Sequence, residues 1–159
     1  MAILENFSLW AALTAIFFAQ FVKVPIHLIL LKKIDWSLII STGGMPSSHS
    51  AAVSAVTTGV ALEVGMNSPL FAVSAVFAII TMFDASGVRR QAGEQAAVLN
   101  QLVADFNLLV KDIKAWPQME EKEKQKELKE LLGHKPIEVF FGGLTGILLT
   151  LFLYYIFQG

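Results

Sequence analysis

The sequence contains no cysteine and few charged residues. Without a thiol, a disulfide framework, a thiolate metal site and a cysteine nucleophile are all excluded. Charged residues make up only 16% of the chain, which is a low share for a soluble domain. The apolar N-terminal segment also lacks a basic start and a small-residue cleavage site, so we expect a retained membrane helix rather than a signal peptide.

Apolar residues dominate what remains. They form 55% of the 159 residues, and the mean hydropathy is +0.61, which together indicate an integral membrane protein. Crossing a bilayer takes roughly 20 mostly apolar residues, and four segments approach that length: residues 7–31, 47–64, 68–88 and 136–157. We therefore predict an all-α polytopic membrane helix bundle with about four transmembrane helices, in one domain covering residues 1–159. A re-entrant hairpin is the alternative for the second and third segments, which are short or rich in Ser and Thr.

Residues 91–133 separate the last two predicted spans, and we interpret them as a helical cytoplasmic insertion. Its first part has apolar residues at alternating spacings of four and three, which predicts a helix with one apolar seam: Leu99, Val103, Phe106, Val110 and Ile113. This seam is expected to dock on the bundle mouth or the lipid surface, or to pair with its copy in a dimer, and Trp116 suits the interfacial zone. The later charged part, residues 120–132, alternates Glu with Lys and offers no basic patch, so no nucleic-acid partner is expected.

Lys and Arg lie on one side of the predicted bundle. The N-terminus, the turn at residues 63–69 and the C-terminus contain none of the twelve. Basic loops tend to stay in the cytoplasm, so both termini should face outward. The expected location is a bacterial cytoplasmic (inner) membrane, with the polar residues on the cytoplasmic side.

The segment Gly-Gly-Met-Pro-Ser-Ser-His-Ser, residues 43–50, opens the second helix. Two glycines and a proline predict a turn, so the backbone N–H groups and the positive end of the helix dipole would face a bound anion. His49 adds a titratable proton. A well-capped helix start is the alternative reading of the same residues.

Further ionisable residues are predicted to reach the same end of the bundle: Lys23, Asp84, Arg89, Arg90, His134 and Glu138. Charge in or near lipid is unfavourable unless it is paired or functional. Each has a simpler explanation as well. Lys23 could extend to the interface, Asp84 could pair with either arginine, and Glu138 falls where a carboxylate commonly caps its own helix.

Three motifs, together with Lys23, resemble the divergent branch of the type 2 phosphatidic acid phosphatase superfamily. They are Pro-Ser-Ser-His at residues 46–49, Asp-Ala-Ser-Gly-Val-Arg-Arg at 84–90 and Gly-His-Lys-Pro-Ile-Glu at 133–138. The resemblance spans nearly the whole chain. It departs from the family pattern at Ser48, where glycine is usual, and at Glu138, where aspartate is usual. Some 43 residues also separate Arg90 from His134, where the superfamily has a handful.

The resemblance implies a role for each residue. His134 would attack phosphorus, His49 would act as general acid, and Glu138 would orient His134. The substrate-binding candidates implied by the motifs are Lys23, Ser47, Ser48, Asp84, and either Arg89 or Arg90.

The predicted function is a membrane-embedded lipid phosphate phosphatase that hydrolyses a phosphomonoester or diphosphate head group through a phosphohistidine. Spread cations, an in-line nucleophile and a proton donor meet the needs of phosphoryl transfer. No cofactor or metal is expected, because the spacing of the carboxylates matches no dedicated cage. A homodimer would help to enclose the site. The alternatives are a non-catalytic lipid-phosphate binding protein or flippase that retains the anion pocket, and a small pore.

Overall fold

The computed structural model describes residues 5–32, 36–39, 43–112 and 133–158. These residues form five α-helices and a short 3₁₀ helix at Trp36–Ile39, and no strand occurs in these ranges. The helices are α1 (Phe7–Leu31), α2 (Ser48–Val64), α3 (Pro69–Ser86), α4 (Val88–Asp112) and α5 (Pro136–Gln158). The predicted all-α fold is confirmed, and the four predicted segments coincide with α1, α2, α3 and α5 to within two residues at each end.

Small residues place α2 at the centre of the bundle, where it packs against α1, α3 and α5. Ala51 and Ala55 of α2 form a buried cluster with three alanines of α1. On the other side of α2, Gly142 and Gly146 of α5 lie directly against the backbone of Ser47 and Ala51. Close backbone approach through small residues is a common way for membrane helices to associate, so these residues assemble the bundle.

Three helical stretches are long and apolar enough to cross a membrane. They are Phe7–Ile29, Pro69–Leu108 and Pro136–Phe157, the second of which continues from α3 into α4. The 17 residues of α2 include five serines and threonines, and α2 is not among these candidates. Three neighbouring helices surround it, so α2 does not need the lipid-facing apolar surface that the other helices carry.

Hydrogen bonds define the two ends of the bundle. At one end, the Ser8 hydroxyl at the start of α1 donates to the Glu63 carboxylate at the end of α2. At the other end, the backbone N–H of Ser47 donates to the Glu138 carbonyl at 3.0 Å, and that of His134 donates to the Ala85 carbonyl at 2.9 Å. The starts of α2 and α5 and the end of α3 therefore meet at one end, which we call the site end.

The insertion begins with α4, which follows α3 after the single residue Gly87. Among the described helices, α4 packs only against α3. The predicted seam is indeed helical, but Leu99 and Phe106 are 48% and 64% exposed, so docking on the bundle mouth is not what the described residues show. Ile113, Trp116 and the predicted charged helix at residues 120–132 lie outside the described residues, as does the side chain of Val110.

Candidate active site

Ser47 caps the start of α2. Its backbone is extended, and its hydroxyl accepts hydrogen bonds from the Ser50 N–H at 3.3 Å and the Ser50 hydroxyl at 3.2 Å. Ser47 and Ser50 are completely buried, and Ser48 is nearly so. The motif therefore does form the helix cap that was the alternative interpretation of its sequence. A capped start still presents the positive end of the helix to an anion, because the first backbone N–H groups have no partners within the helix.

His134 lies two residues before the start of α5 and is only 2% exposed. Its Nδ1 lies 3.1 Å from Glu138 Oε2, and the same oxygen accepts the Lys135 N–H at 3.2 Å. Glu138 is the third residue of α5, so it caps its own helix and orients His134 at once. The sequence left open whether Glu138 caps its own helix or contacts His134, and its Oε2 atom makes both contacts.

The contact with Glu138 determines which nitrogen of His134 is available. A carboxylate accepts hydrogen bonds, so Nδ1 carries the proton and the neutral ring keeps a lone pair on Nε2. Among the described residues, Nε2 is buried and has no hydrogen-bond partner. Buried polar atoms without partners are rare in native structures. Nε2 is therefore the His134 nitrogen that stays open to a ligand at the site end.

His49 lies beside His134 although the two are far apart in the sequence. The ring centroids are 5.8 Å apart and the ring planes meet at 62°. The His49 side chain is exposed, in contrast to the buried His134. One imidazole is thus buried at the site end and the other lies at its surface.

Lys23 extends from α1 into the same region and is 2% exposed. Its Cδ atom lies 3.7 Å from the position that a Cβ of Gly44 would occupy, so it runs beside the turn that leads into α2. The Lys23 charge acts on the His49 ring, and the Glu138 charge acts on Lys23. These interactions place Lys23 within the site.

The two arginines differ in their surroundings. Arg89 Nε pairs with Asp84 Oδ2 at 2.6 Å, and the charges of both residues act on the His49 ring. Arg90 Nε instead pairs with Glu94 at 3.0 Å, one turn further along α4. Arg89 is therefore the better candidate for a phosphate contact, and Asp84 holds it as a helix-end partner.

Three residues that support the site were not recognised as such from the sequence. Gly142 lies against the Ser47 backbone, and the Ala85 carbonyl accepts the His134 N–H. Gly133 has φ +91° and contacts the backbone of Arg89 and Arg90, where a Cβ would clash. The spacing of four between Gly142 and Gly146 in an apolar helix was the available signal, because it indicates close helix packing, although it does not reveal that the contact lies at the site. A carbonyl such as that of Ala85 leaves no trace in a sequence.

Within the described ranges, no group of three or more His, Asp or Glu side chains is arranged to hold a metal ion. The described charged side chains nearest the two imidazoles include instead the cations Lys23 and Arg89 and the carboxylates Asp84 and Glu138. Such a set is suited to holding an anion and moving a proton.

Comparison with known proteins is consistent with this architecture. A family model described as the Divergent PAP2 family matches residues 4–149, which include every candidate site residue. The uncharacterized membrane protein YuiD of Bacillus subtilis (strain 168) is 69% identical over 158 residues, covering 99% of this chain and 100% of that protein. No solved structure shows significant similarity. The chain is a membrane protein that belongs to the Divergent PAP2 family.

Proposed function

We propose that this protein is a lipid phosphate phosphatase that works through a phosphohistidine on His134. The observation that carries the proposal is the setting of that residue. His134 is buried and held by Glu138 through Nδ1, its Nε2 has no partner among the described residues, and the His49 ring lies 5.8 Å away. A purely structural histidine would normally have both nitrogens satisfied.

The proposed reaction has two steps. In the first, the lone pair on His134 Nε2 attacks phosphorus and an N–P bond forms. The bond to the leaving oxygen breaks as His49, whose protonated form the bound phosphate anion favours, donates its proton to that oxygen. In the second, water attacks phosphorus and neutral His49 accepts its proton. The N–P bond breaks, inorganic phosphate leaves, and both rings return to their starting states.

The surrounding groups are suited to binding the phosphate. The positive charges of Lys23 on α1 and Arg89 on α4 both act electrostatically on the His49 ring. They would therefore hold the phosphate oxygens from two directions. The start of α2 supplies backbone N–H groups. Because the Ser47 hydroxyl already caps the helix, we propose that this motif acts mainly through its backbone and Ser48.

The proposed substrate is a lipid with a phosphomonoester or diphosphate head group. The site lies at one end of a membrane bundle whose basic residues are concentrated at the same end, so we propose a cytoplasmic-facing site in the bacterial inner membrane with both termini outside. This orientation suits a newly made phospholipid precursor such as phosphatidate or phosphatidylglycerophosphate. A homodimer that helps to enclose the site stays a prediction.

The test uses two phosphate esters that differ in their need for an acid. Release of inorganic phosphate by the purified protein in detergent is measured with phosphatidate and with p-nitrophenyl phosphate. Only the second substrate has a leaving group that departs without a proton. His134→Ala should abolish release from both. His49→Ala should lose much more activity on phosphatidate than on p-nitrophenyl phosphate. His27→Ala, which changes the one histidine outside the proposed site, is the matched control. Thermal unfolding checks that each variant folds.

Two outcomes would contradict the proposal. Unchanged phosphate release in folded His134→Ala would remove the nucleophile. No release by the unaltered protein, combined with saturable binding of phosphate or vanadate that requires Lys23, would instead support the non-catalytic binder or flippase.

A further inference from the structure

Exposed apolar side chains continue from the second half of α3 into the described part of α4. Near the end of α3, Ile80 and Phe83 are 60% and 73% exposed, as expected for side chains that face lipid. Val88, the first residue of α4, is 60% exposed. The candidate span Pro69–Leu108 likewise includes residues of both helices, on either side of the break at Gly87. The lipid-facing surface of α3 therefore continues onto α4.

On α4 this surface is a single stripe. From residue 98 its members recur at helical spacings of three and four, and the first residue of the helix falls on the same face ten residues earlier. We call them the α4 apolar face: Val88, Val98, Leu99, Leu102, Val103 and Phe106. Each is between 38% and 67% exposed. By helical periodicity, Glu94 and Asp105 fall outside this stripe, and the only polar residues within it are Gln91 and Gln95.

The charged side chains of α4 indicate whether it can span the bilayer or lies along its surface. Arg90 and Glu94 pair on the surface of its first turns, and Asp105 lies near its other end. Charged side chains at these points make it unfavourable for α4 to cross the hydrocarbon. An apolar stripe opposite a charged face is instead typical of a helix that lies in the plane of the interface.

We propose that α4 lies on the membrane surface at the site end, with the α4 apolar face inserted among the lipid acyl chains. The occupant of this face is the bilayer, because the face continues the lipid-facing surface of α3 and packs against no described helix except α3. This position would hold Arg89, in the first turn of α4, at the depth of the lipid head groups. The proposal concerns membrane placement and does not require the protein to be an enzyme.

Spin labels on the full chain in vesicles of phosphatidylcholine and phosphatidylglycerol provide the test. The absence of native cysteine allows single labels at Leu102→Cys and Phe106→Cys on the face, with Gln101→Cys and Asp105→Cys as neighbouring controls. All four side chains are exposed, so the labels should not disturb packing. Power saturation compares collision with oxygen, which partitions into lipid, and with a nickel chelate, which stays in water.

We expect the oxygen-to-nickel collision ratio to be several-fold higher at the two face positions than at the two controls. Equal ratios at all four positions would overturn the proposal, because α4 would then not lie on lipid. Strong spin–spin broadening at position 106 between two protomers, with low oxygen collision, would also overturn it and assign the face to a second copy of the chain.

Discussion

Gly142→Ala should separate α2, which carries His49, from α5, whose Glu138 holds His134. A Cβ at position 142 would overlap the Ser47 carbonyl oxygen and lie 3.0 Å from both the nitrogen and the Cβ of Ser47. Two of these three atoms belong to the backbone of the α2 cap, so no side-chain rotation can relieve the contact. The starts of α2 and α5 must move apart, and the hydrogen bond from Ser47 to the Glu138 carbonyl must lengthen.

The neighbouring glycine gives the matched control. A Cβ at Gly143 would meet the Ser54 hydroxyl at 3.3 Å and the terminal carbon of Met82 at 3.4 Å, and the flexible methionine can yield. Each substitution replaces one helical glycine by alanine, so any gain in helix propensity, about 1 kcal/mol, is common to both. Overpacking typically destabilises by about 1–3 kcal/mol. The free energy of unfolding should therefore be lower for Gly142→Ala than for Gly143→Ala by about that amount.

Thermal unfolding in detergent and phosphate release together make the assay. His49 is carried by α2, and His134 is held by Glu138 of α5, so separation of these helices should also spoil the reacting geometry. A misplacement of about 1 Å can reduce a rate by about 10²-fold. Activity should thus fall in Gly142→Ala and stay close to the unaltered level in Gly143→Ala. Equal stability and equal activity in the two variants would refute the reasoning.

Two further predictions concern the orienting carboxylate and the membrane orientation. Glu138→Gln should keep the helix cap, because glutamine also serves at this position. It should reduce phosphate release by about 10²-fold or more, because the amide no longer fixes the His134 tautomer. Unchanged release at unchanged stability would argue against an orienting role. Asn67→Cys should react with an impermeant maleimide on intact cells and Gln101→Cys only after permeabilisation, and the reverse pattern would overturn the proposed orientation.

The helices that could be predicted are those with a strong local signal. Long apolar runs gave α1, α3 and α5, and the serine cap after Pro46 marked the start of α2. The end of α3 was placed two residues late, because Val88 is apolar and only Gly87 interrupts the helix. The seam of α4 was recognised by its spacing, but spacing alone does not say what covers it. Its exposure depends on where the rest of the bundle lies.

The choice between the two arginines shows a different limit. Arg89 and Arg90 are adjacent, so their chemistry and predicted depth are the same in the sequence. The helix separates them by about 100°, which directs Arg89 toward Asp84 and Arg90 toward Glu94. Only the rotation of α4 about its axis distinguishes them. Nothing in the local sequence determines that rotation, because it follows from how α3, Gly87 and the returning chain at Gly133 pack together.

The long separation between Arg90 and His134, which departs most from the family pattern, is compatible with a shared site because the insertion closes on itself. Gly133 contacts the backbone of Arg89 and Arg90, and the His134 N–H donates to the Ala85 carbonyl. The chain therefore returns to the point from which it left. Loop-closure entropy grows only slowly with length, so a long excursion with joined ends affects the site little more than a short turn would. What the site requires is the contact at Gly133, where both the positive φ of +91° and the nearby backbone of Arg89 and Arg90 favour a residue without a Cβ.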